Sequence, residues 1–392
     1  MKKGPIRQPV IRPAQRQHRP PRRAKHHPLL RGVFHSRLLL SCRLGHTLLR
    51  RRLTLNQSWI LALADDLTGA LEAGAKFAAR GLSVSVTANA SVDPGQTKVQ
   101  VIDTETRHMS AADSQEVVAR LALQAAMHPP DLIYKKTDST LRGNIAAELR
   151  GLLEGFPDRQ LVYAPAYPAM GRTVRDGRLL INGIPVNKTE FGSDILNPVV
   201  ESDVRKMLGD LPALVLDGET DDDVLAAARL ALTSKPSAIA VGPAALAGAL
   251  AIAWAPIARP RQFPGVRHCL VVNGSMHSSS KAQIEAAKSA GCFADDWRCF
   301  DERTRGGGIN RARQTGLRVF ELCQAHSFDA IIVFGGDTAY GIHCAFGSPA
   351  FQPYGEIVPG VPVASAGGIT WITKAGGFGS PEILCEIRRR LT

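Results

Sequence analysis

Residues 59–81 read WILALADDLTGALEAGAKFAARG, and this stretch decides how the fold begins. An apolar run ends abruptly at Asp65 and Asp66, and an alanine-rich helical pattern follows Thr68 and Gly69. A continuous apolar run is typical of a strand covered on both faces, and a helix directly after it indicates an α/β unit. Either aspartate could cap the helix, hold a metal or contact a ligand, and the stretch alone does not choose between these roles.

The same alternation of short apolar runs and helical patterns continues along the chain. The runs are WILALA, LSVSVTA, KVQVID, DLIYKK, QLVYAPA, ALVLD, SAIAVG, CLVVNG, DAIIVFGG and ITWITK. Helical patterns lie between most of them, for example at residues 111–127 and 221–233. This order predicts an α/β protein with two α/β domains and largely parallel sheets.

Composition suggests where the domains meet. Residues 254–268, WAPIARPRQFPGVRH, contain three prolines and no helical period. We therefore predict one domain over residues 58–253, a linker at 254–264 and a second domain over 265–392. A long glycine- and proline-rich stretch, residues 165–198, contains the hairpin-like GRLLINGIPV, and a loop excursion of this length is more often functional than idle.

The net charge of +13 comes from one end of the chain. Residues 1–57 hold 15 Lys or Arg and no Asp or Glu, which leaves 33 basic and 35 acidic side chains in the rest. A body so close to neutral argues against nucleic-acid binding as its main function. We expect residues 1–57 to be a basic disordered extension, explained by translation from upstream of the natural start. A basic arm for nucleic acid, a membrane surface or a targeting receptor is the alternative.

Cysteine usage and hydropathy indicate the compartment. The chain has seven cysteines, an odd number, without a C-x-x-C pair. This pattern is typical of reduced thiols in a cytoplasmic protein rather than of a disulfide framework. No apolar stretch is long enough to cross a membrane, so we expect no membrane partner, and a homodimer stays open.

Polar motifs follow the predicted strands of the first domain. In open α/β sheets the carboxyl ends of strands are where ligands bind. KKTDSTLRGN, residues 135–144, could hold the carboxylate and hydroxyls of a small acid, or form a solvated, capped helix start. In DTETRH, residues 103–108, Arg107 could pair with a substrate carboxylate or with a nearby Glu. The groups in the first motif are Lys135, Lys136, Arg142, Ser139, Thr140 and Asp138.

Glycines follow strands of the second domain at three places, in NGS, FGGDT and KAGGFG. Glycine lets the backbone approach an anion, so three such turns favour a phosphate or nucleotide site, with ordinary tight turns as the alternative. The chain lacks a Walker-type P-loop, and the missing dinucleotide fingerprint argues against a nicotinamide-dependent oxidoreductase. It also lacks zinc spacing and the G-x-S-x-G elbow.

The motifs together closely resemble the four-carbon acid sugar kinases. They are ADDLTGA, DTETRH, KKTDSTLRGN, APAYPAMGRTVRDG, TEFGSD, NGS, FGGDTAYGI, PGVP and KAGGFG, in this order, from about Ile60 to the C-terminus. The resemblance implies an N-terminal substrate domain, a C-terminal ATP-binding domain and an active site in the cleft between them. It implies ATP-dependent phosphorylation of the 4-hydroxyl of a tetronate such as D-threonate, D-erythronate or a 3-oxo-tetronate.

The wording of two motifs bears on the substrate. DTETRH and TVRDGRLLINGIPV look more like the threonate and erythronate branch than the 3-oxo-tetronate branch. IPVNKTEFGSD departs from the acidic residues usual before TEFG. This departure bears on which acid is the substrate and leaves the expected phosphorylation reaction unchanged.

The resemblance also implies roles for individual residues. The substrate face that it implies is Asp65, Asp66, Arg107, Lys136, Asp138 and Arg142, and the reading of the KKTDSTLRGN motif adds Ser139. The ATP contacts that it implies are Ser275, Gly335, Gly336, Asp337, Thr338 and Gly377, and the reading of the glycine turns adds Gly376 and Gly379. ATP and Mg²⁺ are the expected cofactors, with Asp337 as the metal ligand. We predict Asp66 as the catalytic base and Asp138 as the second candidate for that role.

Overall fold

The apolar runs of the sequence form two sheets with helices after most of their strands, and the loop excursion of residues 165–198 contains a third sheet of three short antiparallel strands. The structure is a computed structural model that describes residues 58–194, 196–255, 257, 261–293, 296–301 and 308–392. The predicted extension over residues 1–57 lies outside the described residues, as does part of the predicted linker.

Two lists define the elements. In chain order the strands are β1 (Ile60–Ala64), β2 (Val84–Ala88), β3 (Val99–Asp103), β4 (Leu132–Lys136), β5 (Leu161–Tyr163), β6 (Arg172–Arg175), β7 (Arg178–Ile181), β8 (Ile184–Pro185), β9 (Ala213–Val215), β10 (Ile239–Gly242), β11 (Cys269–Asn273), β12 (Trp297–Asp301), β13 (Ala330–Phe334), β14 (Gln352–Val358), β15 (Val361–Ala366) and β16 (Ile369–Lys374). The α-helices are α1 (Leu67–Ala78), α2 (Ala111–Ala126), α3 (Ile145–Gly155), α4 (Val204–Leu208), α5 (Asp221–Thr233), α6 (Ala244–Trp254), α7 (Ser278–Ser289), α8 (Gly308–Ala325), α9 (Gly336–Ala345) and α10 (Ile383–Leu391).

The first sheet is parallel throughout, with strand order β2-β3-β1-β4-β10-β5-β9. Ala64, the last residue of β1, lies opposite Asp103 of β3 and Lys136 of β4. The three strands therefore end at the same level. Their following segments, which carry the acidic and basic motifs, emerge side by side at one edge of the sheet.

The second sheet is mixed, with strand order β12-β11-β13-β16-β15-β14. β12, β11, β13 and β16 run parallel, whereas β15 and β14 are antiparallel additions. Because β11, β13 and β16 are neighbours with parallel direction, the three glycine motifs that follow them also emerge at one edge.

Helix α1 joins the two sheets. It follows β1 of the first sheet and packs against β14 and β15 of the second. Lys76 on α1 pairs with Glu356 on β14 at 2.6 Å, and the backbones of Val86 and Phe351 exchange two hydrogen bonds of 2.9 and 2.8 Å. A single cluster of buried side chains runs through both sheets as a result, and a second cluster covers the opposite face of the second sheet.

The sequence did not predict three of the strands in the second sheet. β12 reads WRCFD and lies at the sheet edge, so two of its five positions carry charge and the apolar run is absent. β14 and β15 contain proline, and β14 also contains glycine; both residue types are rare in strands, so the sequence did not indicate these two. The two strands pair with each other in antiparallel direction. The hairpin predicted in GRLLINGIPV is confirmed as β7 and β8, joined by Asn182 and Gly183 at φ 48° and 83°.

Two further sequence expectations concern cysteines and membranes. The cysteines of the described chain carry free thiols: Cys269, Cys292, Cys299, Cys323, Cys344 and Cys385. Among the helices of the described segments, none combines the length and the apolar character that a bilayer crossing requires.

Helix α9 crosses α8 in backbone contact at Gly341. A Cβ added there would lie 2.1 Å from the carbonyl oxygen of Ala312, so Gly341→Ala must push the helices apart. We expect the free energy of unfolding in urea to fall by about 2 to 3 kcal/mol. Gly248→Ala on α6 is the matched control, because its Cβ would meet only the Lys76 side chain at 3.6 Å. Equal stability of the two variants would contradict this close crossing.

Candidate active site

Arg107 organises the carboxyl edge of the first sheet. Its Nε and Nη2 donate to Asp65 Oδ2 and Oδ1 at 2.7 and 2.9 Å. Its Nη1 and Nη2 donate to Asp66 Oδ2 and Oδ1 at 2.8 and 2.9 Å. One guanidinium thus holds both aspartates of the ADDLTGA motif. Burial opposes ionisation of Asp65, but Arg107 and Lys135 outweigh it and lower the pKa of that carboxyl.

Asp66 has two contacts besides Arg107, and they point in different directions. It is the N-cap of α1, where Oδ1 accepts a hydrogen bond from the backbone N–H of Gly69 at 3.0 Å. Its other oxygen, Oδ2, faces the glycine turn after β13 of the second sheet. Gly336 of that turn is so close that a β-carbon added to it would lie 3.4 Å from Oδ2. The residue therefore caps the helix and presents a carboxylate oxygen to the opposite edge at the same time, whereas Asp65 is 2% exposed.

Asp138 and Arg142 form a second pair beside the first. Arg142 Nε and Nη2 donate to Asp138 Oδ2 and Oδ1 at 3.0 and 2.9 Å, and Nη1 lies 3.5 Å from Asp194 Oδ2. Burial opposes ionisation of Asp138, yet Arg142 and Arg107 hold its pKa well below the usual value. A carboxylate with so low a pKa is a poor proton acceptor, which weakens its candidacy as a base. Ser139 follows it in the turn and is partly exposed.

The two lysines that end β4 point to opposite faces of the sheet. Lys135 pairs with Glu148 of α3 at 3.1 Å, with both side chains buried, so it is part of the scaffold. Lys136 faces α1: a Cβ on Gly69 would lie 2.7 Å from its Nζ and 2.5 Å from Asp66 Oδ1. Strand alternation thus assigns Lys136, and not Lys135, to the predicted site.

The three glycine turns of the second sheet converge. A Cβ on Gly376 would lie 2.1 Å from Ser275 Oγ, and one on Gly274 would lie 2.0 Å from Thr338 Oγ1. Gly335 has φ 107° and would place a Cβ 3.6 Å from the backbone nitrogen of Ser275. Any side chain at these glycines would fill the space between the turns. The contacts bring together predicted residues from all three motifs in a cradle lined by backbone and hydroxyl groups, which suits a phosphate chain.

Lys374 is a residue of this cradle that the sequence reasoning missed. It is fully buried at the end of β16, and its Nζ donates to the carbonyls of Ala375, Gly376 and Phe378 at 2.7, 3.2 and 2.8 Å. The Nζ also lies 4.6 Å from the centre of the Phe334 ring. Burial lowers its pKa to about 7. Three carbonyl acceptors match the three N–H groups of an ammonium, so Lys374 fixes the shape of the last glycine turn.

The two edges face each other. A Cβ on Gly336 would lie 3.1 Å from Thr68 Oγ1 of α1, and His108 Nε2 lies 3.5 Å from Asp337 Oδ1. The hydrogen bond with Asp337 raises the pKa of His108. A pocket of about 600 Å³ opens beside this contact. Its lining includes Arg107, His108, Arg142, Asn144, Asn197 and Asp337. A second cavity of about 730 Å³, along α2, contains none of the predicted site residues.

Glu105 is a second residue that the sequence reasoning passed over, although it lies in the quoted DTETRH motif. It adopts φ 50°, and its Oε1 accepts from the backbone N–H of Leu67 at 3.3 Å. Burial raises its pKa to about 7, and the negative charges of Asp66 and Asp337 act in the same direction. Burial also raises the pKa of Asp103, and the negative charge of the neighbouring Glu105 acts in the same direction. The cleft thus contains acidic groups whose ionisation is unfavourable without an added cation.

Glu105 gives stability a pH dependence. Its pKa rises from 4.5 to about 7 on folding, so the folded chain binds the proton more tightly than the unfolded chain. The free energy of unfolding should therefore fall as pH rises from about 4.5 to 7, by about 3 kcal/mol from this group. Urea titrations at pH 5 and pH 8 should show a smaller difference for Glu105→Gln than for the natural chain. Glu116→Gln, at an exposed position on α2, should leave the difference unchanged. The same pH difference in all three proteins would refute the assignment.

Known protein families match both halves of this arrangement. The family model described as a sugar-binding N-terminal domain matches residues 60–211, which contain the carboxyl edge of the first sheet with its aspartates, arginines and lysine. The model described as a nucleotide-binding C-terminal domain matches residues 301–384, which hold two of the three glycine turns.

Curated relatives and solved structures match most of the chain. A D-threonate kinase of Bordetella bronchiseptica is 30% identical over 83% of this chain and 96% of its own length. A D-threonate kinase of Salmonella typhimurium is 27% identical over 83% and 97%, and a D-erythronate kinase of Heliobacterium modesticaldum is 28% identical over 64% and 67%.

A crystal structure from Salmonella typhimurium LT2 has a TM-score of 0.71 at 18% identity, and covers 86% of this chain and 100% of that one. A Haemophilus influenzae protein of the DUF1537 family has a TM-score of 0.65 at 16% identity, with 85% and 100% covered. These identities establish the shared fold alone. The curated relatives show more than the fold, because their identity to this chain reaches 30% over most of both lengths. The chain belongs to the four-carbon acid sugar kinase family.

Proposed function

We propose that this kinase transfers the γ-phosphoryl group of ATP to the 4-hydroxyl of D-threonate, with D-erythronate as the second candidate acid. The observation that carries the proposal is the approach of the two edges, where Gly336 of the glycine turn lies against Asp66 and Thr68. Phosphoryl transfer requires mainly positioning and charge neutralisation. The close approach of the two edges supports the positioning, and the cations Arg107, Lys136 and Arg142 lie at the first edge. The names of the relatives support the choice of acid.

On the substrate side, Asp66 is our candidate for the base. Oδ2 would take the proton of the 4-hydroxyl while the hydroxyl oxygen bonds to the γ-phosphorus and the bond from that phosphorus to ADP breaks. Arg107 holds both oxygens of Asp66, and the Gly69 N–H holds Oδ1, so the carboxylate has a fixed direction. Lys136, Asp138, Ser139 and Arg142 border the same edge and are proposed to contact the acid.

On the nucleotide side, the proposed ATP contacts are those of the glycine cradle. Asp337 is proposed as the Mg²⁺ ligand. The described residues contain no group of three or more His, Cys, Asp or Glu side chains arranged for a metal. Asp337 is half exposed at the start of α9, and Mg²⁺ with ATP commonly uses one or two carboxylates plus phosphates and water, so the residues fit. Bound Mg²⁺ would neutralise charge on the transferred phosphate.

Other readings are open to the same test. A 3-oxo-tetronate kinase of Brucella melitensis is 21% identical over 83% of this chain and 94% of its own length, which makes 3-oxo-tetronates the alternative within the family. Nucleic-acid binding would rest on residues 1–57, outside the described residues. A cytoplasmic location and a homodimer stay predictions.

The direct test of the proposed function is ADP release by the full chain with ATP, Mg²⁺ and a panel of four-carbon acids. The panel contains D-threonate, D-erythronate, their L-isomers and a 3-oxo-tetronate. We expect acid-dependent ADP release that is greatest with D-threonate, and a phosphate on carbon 4 of the product by ³¹P NMR. ADP release that is the same with and without every acid would reject the proposal.

Asp66→Asn separates the base from the helix cap. Asparagine caps helices as well as aspartate does, so α1 should keep its first turn. We expect kcat to fall by about a hundredfold or more while KM for the acid changes less than about fivefold. Asp203→Asn is the matched control, because Asp203 caps α4 in the same way, accepting from the Lys206 N–H at 3.1 Å. A kcat equal to that of the natural chain would remove Asp66 from the role of base.

A further inference from the structure

His277 lies against the last of the three glycine turns. A β-carbon added to Gly377 would lie 2.9 Å from His277 Nε2, 3.1 Å from its Cδ2 and 3.2 Å from its Cε1. A β-carbon added to Gly376 would lie 3.6 Å from the β-carbon of His277. The imidazole therefore occupies the space that a side chain at Gly377 would need, and Nε2 is the ring atom that comes nearest to the turn.

The other ring nitrogen is held by the start of helix α7. His277 is the N-cap of α7, and its Nδ1 accepts a hydrogen bond from the backbone N–H of Ser279 at 3.2 Å. The backbone N–H of His277 donates to Ser275 Oγ at 3.2 Å. Because Nδ1 is an acceptor, the proton of the neutral imidazole lies on Nε2, which makes Nε2 a donor. The helix start thus fixes both the place of the residue and the nitrogen that donates.

This donor is unused and can be reached by a ligand. Within the segments that the structure describes, His277 Nε2 forms no hydrogen bond, and the residue is exposed to solvent. The backbone N–H groups of Gly376 and Gly377 likewise donate to no acceptor of the described chain. The carbonyl of Gly376, by contrast, accepts from Ser280 Oγ at 2.7 Å. One side-chain N–H beside two unused backbone N–H groups suits a phosphate, whose oxygens accept such bonds.

The contacts of the cradle run in an order that places His277 relative to the reacting groups. Gly336 lies against the carboxyl edge of the first sheet. A β-carbon on Gly335, the preceding residue, would lie 3.6 Å from the backbone nitrogen of Ser275, and one on Gly376 would lie 2.1 Å from Ser275 Oγ. His277 follows after Gly376. Since the proposed transfer takes place where Gly336 meets the first sheet, the phosphates at the other end of the cradle are those that stay on ADP.

We propose that His277 is a further nucleotide-binding residue, whose Nε2 donates a hydrogen bond to a phosphate that remains on ADP. The identity of the ligand rests on the proposed function. The proposal explains why the last glycine motif has glycine at position 377, because a side chain there would displace the imidazole. It also extends the first glycine motif, NGS, by two residues, so that the start of α7 contributes a side chain to the cradle.

Two substitutions separate the roles of the two ring nitrogens. His277→Asn keeps an acceptor in the place of Nδ1, because asparagine is a strong N-cap residue, but it has no group in the place of Nε2. His277→Gln has a longer side chain, whose amide N–H₂ can donate from the place of Nε2. His326→Asn is the matched control. His326 is also exposed, and it precedes β13, whereas the glycine turn follows that strand.

Each full-chain protein is titrated with ADP and with ATP, both with Mg²⁺ and without acid, by calorimetry. For His277→Asn we expect Kd for ADP and for ATP to rise about tenfold and by the same factor, because both nucleotides lose one hydrogen bond to a charged group. At saturating ATP, KM for D-threonate should change less than about twofold. His277→Gln should lose less than about threefold in either affinity. His326→Asn should match the natural chain.

Several outcomes would overturn the proposal. One is an ADP affinity of His277→Asn equal to that of the natural chain. Another is a loss confined to ATP, because the contact would then be with the transferred phosphate. Equal losses in His277→Asn and His277→Gln would make the residue a helix cap only, whatever the stability of the two variants in urea.

The titrations also separate this proposal from the proposed function, because nucleotide binding is measured without acid. Loss of ADP affinity in His277→Asn would support the binding role of His277 even where no acid is phosphorylated, a result that would reject the proposed function alone. Phosphorylation of an acid with unchanged ADP affinity in His277→Asn would do the reverse. Absence of ADP binding by the natural chain would overturn the binding role.

Discussion

The pairing of Arg107 with Asp65 and Asp66 is the interaction on which the rest of the site depends. Two adjacent carboxylates, one of them 2% exposed, cannot remain ionised beside each other in a buried turn without a cation. Arg107 supplies that cation, and its planar fork reaches both carboxylates because it carries donors on three nitrogens. Their charge in turn raises the pKa of Arg107 well above its usual value, against the effect of burial.

The same turn also fixes the distance between the two sheets. Asp66 caps α1, and α1 packs along β14 and β15 of the second sheet, so the helix that begins at Asp66 is also one of the contacts between the two sheets. Gly336 completes the approach, because a side chain there would crowd Thr68 and Asp66, with its Cβ 3.1 Å from Thr68 Oγ1 and 3.4 Å from Asp66 Oδ2. The helix α1 belongs to the residues that match the sugar-binding model, and it packs against strands that belong to the residues matching the nucleotide-binding model.

Sequence patterns were informative where the residue type of one position or one short run depends directly on its burial or its backbone conformation. The continuous apolar runs identified ten strands, and the glycine motifs identified the edge of the second sheet, because glycine is required where turns approach within contact distance. Patterns failed for β12, whose edge position tolerates charge, and for Lys374, whose partners are backbone carbonyls. No residue type in the sequence signals a carbonyl that will accept from a buried ammonium.

By itself the sequence determined the α/β class, the order of the elements and the chemical types at each strand end, since these follow from local hydrophobic periodicity. Only the tertiary structure decided which charges are paired. Strand alternation separated Lys135 from Lys136, and three-dimensional packing paired Arg107 and Arg142 with carboxylates. The reason is physical: the partner of a charged group is set by distances between segments far apart in the chain, and those distances exist only after the sheets have packed.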